Sequence, residues 1–244
     1  MSKVVLITGI LGGIGSMLAD AFKSKEYFVV GLDLNNNKNN NSDLFIKFDL
    51  NKYCINQKYR HKMNMLLEEK VPILNVLINN AAVQILGNVN EVKLEDWSQT
   101  MNVNVTAPFL LSQLFLKKLE HSKGCIINIA SIHQQLTKQR FVSYATSKAA
   151  LVGLTKSMSV DLQGKVRVNS ISPAAIDTPM LHFGFNNDKT ILKKLCLKHP
   201  IQRIGKPSEV AKLALLLSEQ GIDFINGANI HIDGGISNVL NDIN

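Results

Sequence analysis

Cysteine is scarce in this chain: Cys54, Cys125 and Cys196 are three residues among 244, odd in number and far apart. No Cys-x-x-Cys pair occurs, which argues against a disulfide scaffold or a zinc site and for a reducing compartment. The six histidines make no His-Glu-x-x-His or comparable ligand spacing, so no metal is expected. Nor is there a basic arm or an aromatic-interleaved basic tract. The 27 basic residues exceed the 19 acidic ones, but they are scattered, as at Lys23, Lys25, Lys93, Lys117 and Lys118. A nucleic-acid partner would need them clustered. A lysine-rich solvated surface explains the excess.

A membrane-length apolar run is missing too. Val4 to Ala19 is uncharged and follows Lys3, but it is sixteen residues long, short of the roughly 20 that span a bilayer. It is broken by Gly9, Gly12, Gly13 and Gly15 and lacks a clear small-residue cleavage site. It reads as a buried strand followed by a glycine turn, and the protein is expected to be cytoplasmic, with no membrane partner. No repeat and no second domain is visible, so residues 1–244 are read as one domain, a size that a single α/β domain can reach.

What is present is a rhythm. Apolar, β-branched runs at 4–8, 27–33, 44–49, 74–79, 125–131, 166–172 and 228–233 read as strands. They are nearly continuous, as strands of a parallel sheet covered on both faces must be. Helical patterns at about 14–25, 57–69, 95–119, 144–163 and 207–218 fall between most of them. Alternating β and α units imply a single-domain, Rossmann-like doubly wound parallel sheet of seven strands with helices on both faces. The polar "NNNKNNNSDLF" stretch after Asp33 is too short for a strand plus a full helix and reads as a surface loop.

"TGILGGIG", residues 8–15, sits between the first strand and the first helix. There, glycines let backbone approach a pyrophosphate and aim amide N–H groups at it from a helix N-terminus. A tight turn without a ligand is the alternative. Asp33, 20 residues beyond Gly13 at the end of the second strand, favours the ligand. An acid at that spacing accepts hydrogen bonds from an adenosine ribose. It also repels a 2′-phosphate, which selects NAD over NADP.

"YATSK", residues 144–148, places Tyr144 and Lys148 on one helical face with only small residues between them. A phenol near pKa 10 is a poor base at neutral pH. A neighbouring ammonium is expected to favour the phenolate and make proton exchange with an alcohol feasible. Any helix can carry Tyr and Lys at this spacing by accident, but Ser131 lies 13 residues upstream, just past the fifth strand. That is where open parallel sheets bind ligands, and its hydroxyl can steady a reacting oxygen.

On these residues the chain resembles the short-chain dehydrogenase/reductase family over nearly its whole length. The resemblance rests on "TGILGGIG", "FDL" (48–50), "NNAA" (79–82), "MNVNVTAPF" (101–109), the Ser131–Tyr144–Lys148 spacing, "SPAAIDTP" (172–179) and "IDGG" (232–235). It implies a catalytic set of Asn104, Ser131, Tyr144 and Lys148, with Asn104 chosen over Asn102 and expected to hold a helix kink and a water serving Lys148. It implies cofactor contacts at Gly9, Gly13, Ile14 and Gly15, at Asp33, and at Asp49 and Leu50 beside the adenine. Asn80, Ala81, Pro173, Ile176 and Thr178 would follow toward the nicotinamide, with Tyr144 and Lys148 touching its ribose end. Ala82 and Ala174 depart from the family's usual glycines, each adding a methyl near the cofactor.

The expected function is NAD-dependent interconversion of a secondary alcohol and a ketone. A reductase of 3-oxoacyl thioesters using NADP, or a dinucleotide-binding regulatory protein without turnover, are the alternatives. Gln84, His133 and Gln134 would line a polar substrate pocket, and the segment 180–200, with Leu181, Phe183 and Phe185, would form a lid. The predicted substrate is a small polyhydroxylated or carboxylated alcohol. Helices 149–160 and 210–218 offer little continuous polar face, which predicts self-association. The family resemblance points to a homotetramer.

Overall fold

β-Branched runs flanked by turn residues become strands, the central ones buried on both faces and the two at the sheet edges only in part. In chain order they are β1 (Val4–Thr8), β2 (Phe28–Asp33), β3 (Leu44–Lys47), β4 (Val76–Asn79), β5 (Cys125–Ile129), β6 (Arg167–Pro173) and β7 (Asn229–Ile232). The computed structural model describes residues 2–36, 40–184 and 188–240, so Phe185 and part of the asparagine-rich stretch fall outside the described residues. All seven strands pair in parallel in one sheet, in the order β3-β2-β1-β4-β5-β6-β7.

Alternation within a strand feeds two cores. Val5 and Ile7 of β1 face α1 (Gly13–Lys23), packing with Leu18 and Phe22, while Leu6 joins the core on the opposite face. That second core is closed by α3 (Gln57–Lys70) through Met63 and Leu67. Each fully buried side chain of this kind contributes about 1.5–3 kcal/mol.

Between these come α2 (Leu50–Ile55), α4 (Leu94–Met101), α5 (Ala107–Ser122), α6 (Val142–Asp161), α7 (Pro179–Gly184), α8 (Lys189–Lys198) and α9 (Pro207–Ser218). Leu111, Phe115 and Leu119 of α5 join the second core, and Val210, Ala214 and Leu217 of α9 join the first.

Three local departures from the sequence reading have physical causes. Asp49 ends no strand; its carboxylate accepts from Lys52 N and caps α2, a helix the sequence reading left out. The helix read over 95–119 is α4 and α5 joined by a π-helical turn, Asn102–Thr106. The segment 180–200 is mostly helical, with Asp188 capping α8 by accepting from Thr190 N and Ile191 N.

The strand order places the site. From β1 the chain winds outward through β2 and β3, then crosses back to β4 on the other side of β1. That reversal opens a crevice at the carboxyl ends of β1 and β4, where open α/β sheets bind ligands.

Candidate active site

At the crevice floor, the glycine turn is built to close tolerances. Gly9 has φ +67°, and a Cβ there would lie 2.8 Å from the Ala81 Cα. A Cβ on Gly13 would meet the Thr178 methyl at 2.9 Å, so the turn and the 176–178 segment touch. Ile14 and Gly15 follow in the first turn of α1, whose N-terminus has no side-chain cap and no acidic residue. Those amide N–H groups are the donors that a pyrophosphate takes.

Asp33 stands beside them. Its Oδ2 accepts from Leu11 N at 3.0 Å and its Oδ1 from Asn35 N at 3.1 Å, which pins the carboxylate to the glycine turn. Asn80 donates its side-chain amide to Thr8 O and Gly9 O, while Asn80 N and Ala81 N both donate to Thr8 Oγ1. Asn80 therefore shapes the turn. Asp49 and Leu50 begin α2 beyond the end of β3; Pro173 ends β6, and Ile176 is buried against Gly205. The residues fit a dinucleotide: an uncapped helix end, a glycine turn, an acid at the end of β2 and a segment crossing beside Gly13.

The Tyr–Lys face meets this crevice from α6. Tyr144 and Lys148 are both buried, Lys148 at 2% exposure, and the lysine Nζ lies 5.7 Å from the tyrosine ring centroid. Lys148 donates to Ile129 O at 2.7 Å, and Tyr144 is hydrogen-bonded with the Ser131 hydroxyl. Ser131 Oγ also accepts from His133 N at 3.2 Å, capping a single 3-10 turn, Ile132–Gln134.

Burial reverses the expected tuning. It pushes the Tyr144 phenol up to about 12, against the opposing pull of Ser131, and pushes the Lys148 ammonium down to about 7. The sequence reading had the ammonium lowering the phenol. In this pocket both groups are desolvated toward their neutral forms.

Asn104 is fully buried within the π turn. Its Oδ1 accepts from Val83 N at 2.9 Å, and its Nδ2 donates to Val83 O and to Ser147 Oγ, whose hydroxyl in turn donates to Tyr144 O. The side-chain amide is spent on these partners, not on Lys148. Asn102 points elsewhere, donating to Asn51 Oδ1.

On the substrate side, His133 packs on the catalytic wall, its ring 4.6 Å from Phe141 and 6.0 Å from Tyr144. Burial lowers its pKa below the usual histidine value, and the Lys138 charge adds to this against the bond to Leu136 O. Gln84 is half-buried near Val83. Gln134 reaches His231, its Nε2 lying 3.2 Å from the His231 Nε2. Phe183 is 85% exposed, while Leu181 is half-buried. His231 was missed in the sequence; the available signal was its place near the carboxyl end of the last strand, opposite Ser172. No group of three or more metal-capable side chains gathers among the described residues, and no described helix is long and apolar enough to cross a membrane.

Comparison with known proteins gives the chain its relatives. A family profile described as enoyl-(acyl carrier protein) reductase matches residues 9–237. The meso-2,3-butanediol dehydrogenase of Serratia marcescens is 30% identical, with 96% of this chain and 94% of that protein covered. The 3-oxoacyl-[acyl-carrier-protein] reductase of Thermotoga maritima is also 30% identical, covering 96% of this chain and 97% of that one. Among solved structures, the aldohexose dehydrogenase of Thermoplasma acidophilum superposes with a TM-score of 0.91 at 28% identity, covering 100% of this chain and 97% of that one. A 4-hydroxyisoleucine dehydrogenase complexed with NADH gives 0.88 at 29% identity, covering 98% and 100%.

Proposed function

Because the chain belongs to the short-chain dehydrogenase/reductase family and is an NAD(P)-dependent oxidoreductase acting on CH–OH groups, we propose a narrower activity: oxidation of a small, polar secondary alcohol with NAD. The observation that carries it is the buried Ser131–Tyr144–Lys148 cluster at the carboxyl edge of the sheet. A bound nicotinamide supplies the hydride chemistry. Ser131 Oγ orients the substrate oxygen, and Tyr144 Oη exchanges its proton. Lys148, when charged, favours the phenolate; Asn104 fixes the backbone of Val83 beside them.

Selection of NAD is supported by Asp33, whose carboxylate sits against the glycine turn where a 2′-phosphate would be repelled. Polarity of the substrate is supported by His133 and Gln84 near the wall, and by relatives named for a diol and an aldohexose. A second reading, NADP-linked reduction of a 3-oxoacyl thioester, is favoured by the acyl-carrier reductase among the relatives. Kinetics decide between them. The proposal expects higher kcat/KM with NAD than with NADP on a polyol or sugar, and Asp33→Ser should narrow that gap. Equal or better turnover with NADP on a 3-oxoacyl thioester favours the second reading.

We place the protein in the cytoplasm as a homotetramer, a reading supported by three free thiols and by apolar side chains left outward on helices. Phe109 on α5, Val160 on α6 and Leu216 on α9 are 44%, 78% and 49% exposed.

A further inference from the structure

The chain Asp233–Ser237–His231–Gln134 runs from the end of β7 to the turn that carries Ser131. Asp233 is anchored by Gly235 N at 2.9 Å and Ser237 N at 3.3 Å. Ser237 Oγ donates to Asp233 Oδ2, because an ionised carboxylate offers only acceptors. Burial pushes this carboxyl up, but the Ser237 hydroxyl and the two amides outweigh it and hold the group below its usual range.

With its proton committed to Asp233, Ser237 Oγ can only accept from His231 Nδ1, 3.3 Å away. In the neutral ring, which lies 3.9 Å from Asp233 Oδ2 through Nδ1, that fixes the Nδ1–H tautomer and leaves Nε2 as a bare acceptor. Gln134 must then give its Nε2 amide to the imidazole, at 3.2 Å. A second acceptor, Gln135 Oε1, lies 3.5 Å from the same nitrogen. The carbonyl Oε1 of Gln134 is therefore the atom left for a ligand. Gln134 itself is fixed to the catalytic wall, its N donating to Ser131 O at 3.0 Å.

We propose that His231 is a positioning residue which, through Gln134, turns an acceptor toward the substrate and so selects alcohols bearing a second hydroxyl. The inference rests on the dehydrogenase reading and deepens it. Relay and pocket meet at one amide, so a change at Ser237, two side chains away from that amide, should be felt in specificity.

Two measurements test it. The first is 15N NMR of histidine-labelled full-length protein, which should show His231 as the Nδ1–H tautomer; an Nε2–H tautomer overturns this inference and leaves the dehydrogenase reading standing. The second is kcat/KM for 2,3-butanediol against 2-butanol, probes of one carbon skeleton. One hydrogen bond predicts about tenfold in favour of the diol. His231→Phe and Ser237→Ala should remove that preference by raising the diol KM, with kcat for the diol nearly kept, while Ser237→Thr, which keeps the hydroxyl, should preserve it. A preference that survives both disruptive variants, or that is lost through kcat alone, contradicts the proposal. Turnover of neither alcohol contradicts the selectivity and leaves the dehydrogenase reading standing.

Discussion

Tyr144 and Lys148 are buried side by side, and burial moves their ionisations apart: the phenol up to about 12, the ammonium down to about 7. A neutral phenol is a ready proton donor and a poor acceptor. Alcohol oxidation should therefore speed up with rising pH and ketone reduction slow down, which initial rates in both directions will show. A rate of oxidation that falls between pH 7 and 9 contradicts this account. Lys148 also leaves a mark on stability. Its folded pKa lies below its unfolded value, so between about 7 and 10.5 the unfolded chain holds a proton that the folded one lacks, and stability rises with pH there. In cofactor-free protein, Lys148→Met should be the more stable at pH 7, and the gain of the wild type from pH 7 to 9 should exceed that of the variant. Denaturant midpoints at the two pH values check it, and equal gains count against a buried, neutralised lysine. The Tyr–Lys spacing was legible in the sequence. The direction of the phenol shift was not, because desolvation depends on what the fold packs around the pair.

At the scale of elements, the π turn between α4 and α5 exists to place one side chain. Asn104 meets Val83 N, Val83 O and Ser147 Oγ at once, so the π turn, the loop after β4 and α6 are tied at a single amide. Asn104→Ala strands those buried groups, each at about 1–3 kcal/mol. We expect a lower unfolding midpoint together with a large fall in kcat; a variant as stable and active as the parent contradicts the tie. The sequence announced a helix across this region and an asparagine with work to do. It did not announce the π geometry, since no residue type compels the extra residue in the turn. The same limit hid α2, α7 and α8. Each is short, and α2 and α8 begin at an aspartate cap, Asp49 and Asp188, whose bond to backbone amides is visible only in three dimensions. The long apolar strands and the glycine turn were plain because their signal is spread over many residues.

For the whole molecule, helices on both faces of the sheet leave some outward surface apolar. The outward line of α6 combines Thr146, Ala149, Gly153, Lys156 and Ser157 with Val160, less uniformly apolar than its sequence implied. Phe109 and Leu216 add exposed apolar area on α5 and α9. We expect self-association to cover these faces, with a mass near four chains by light scattering at micromolar concentration; a monomer contradicts it. The catalytic expectations depend on one claim, that Tyr144 moves the proton in a dinucleotide-linked oxidation. Its direct test is Tyr144→Phe, which keeps the ring and its contacts with Phe141 and His133 while deleting the transferable proton. NADH binding followed by fluorescence should be retained while turnover falls by about 10²–10⁴. Near-normal turnover with binding intact would contradict the claim.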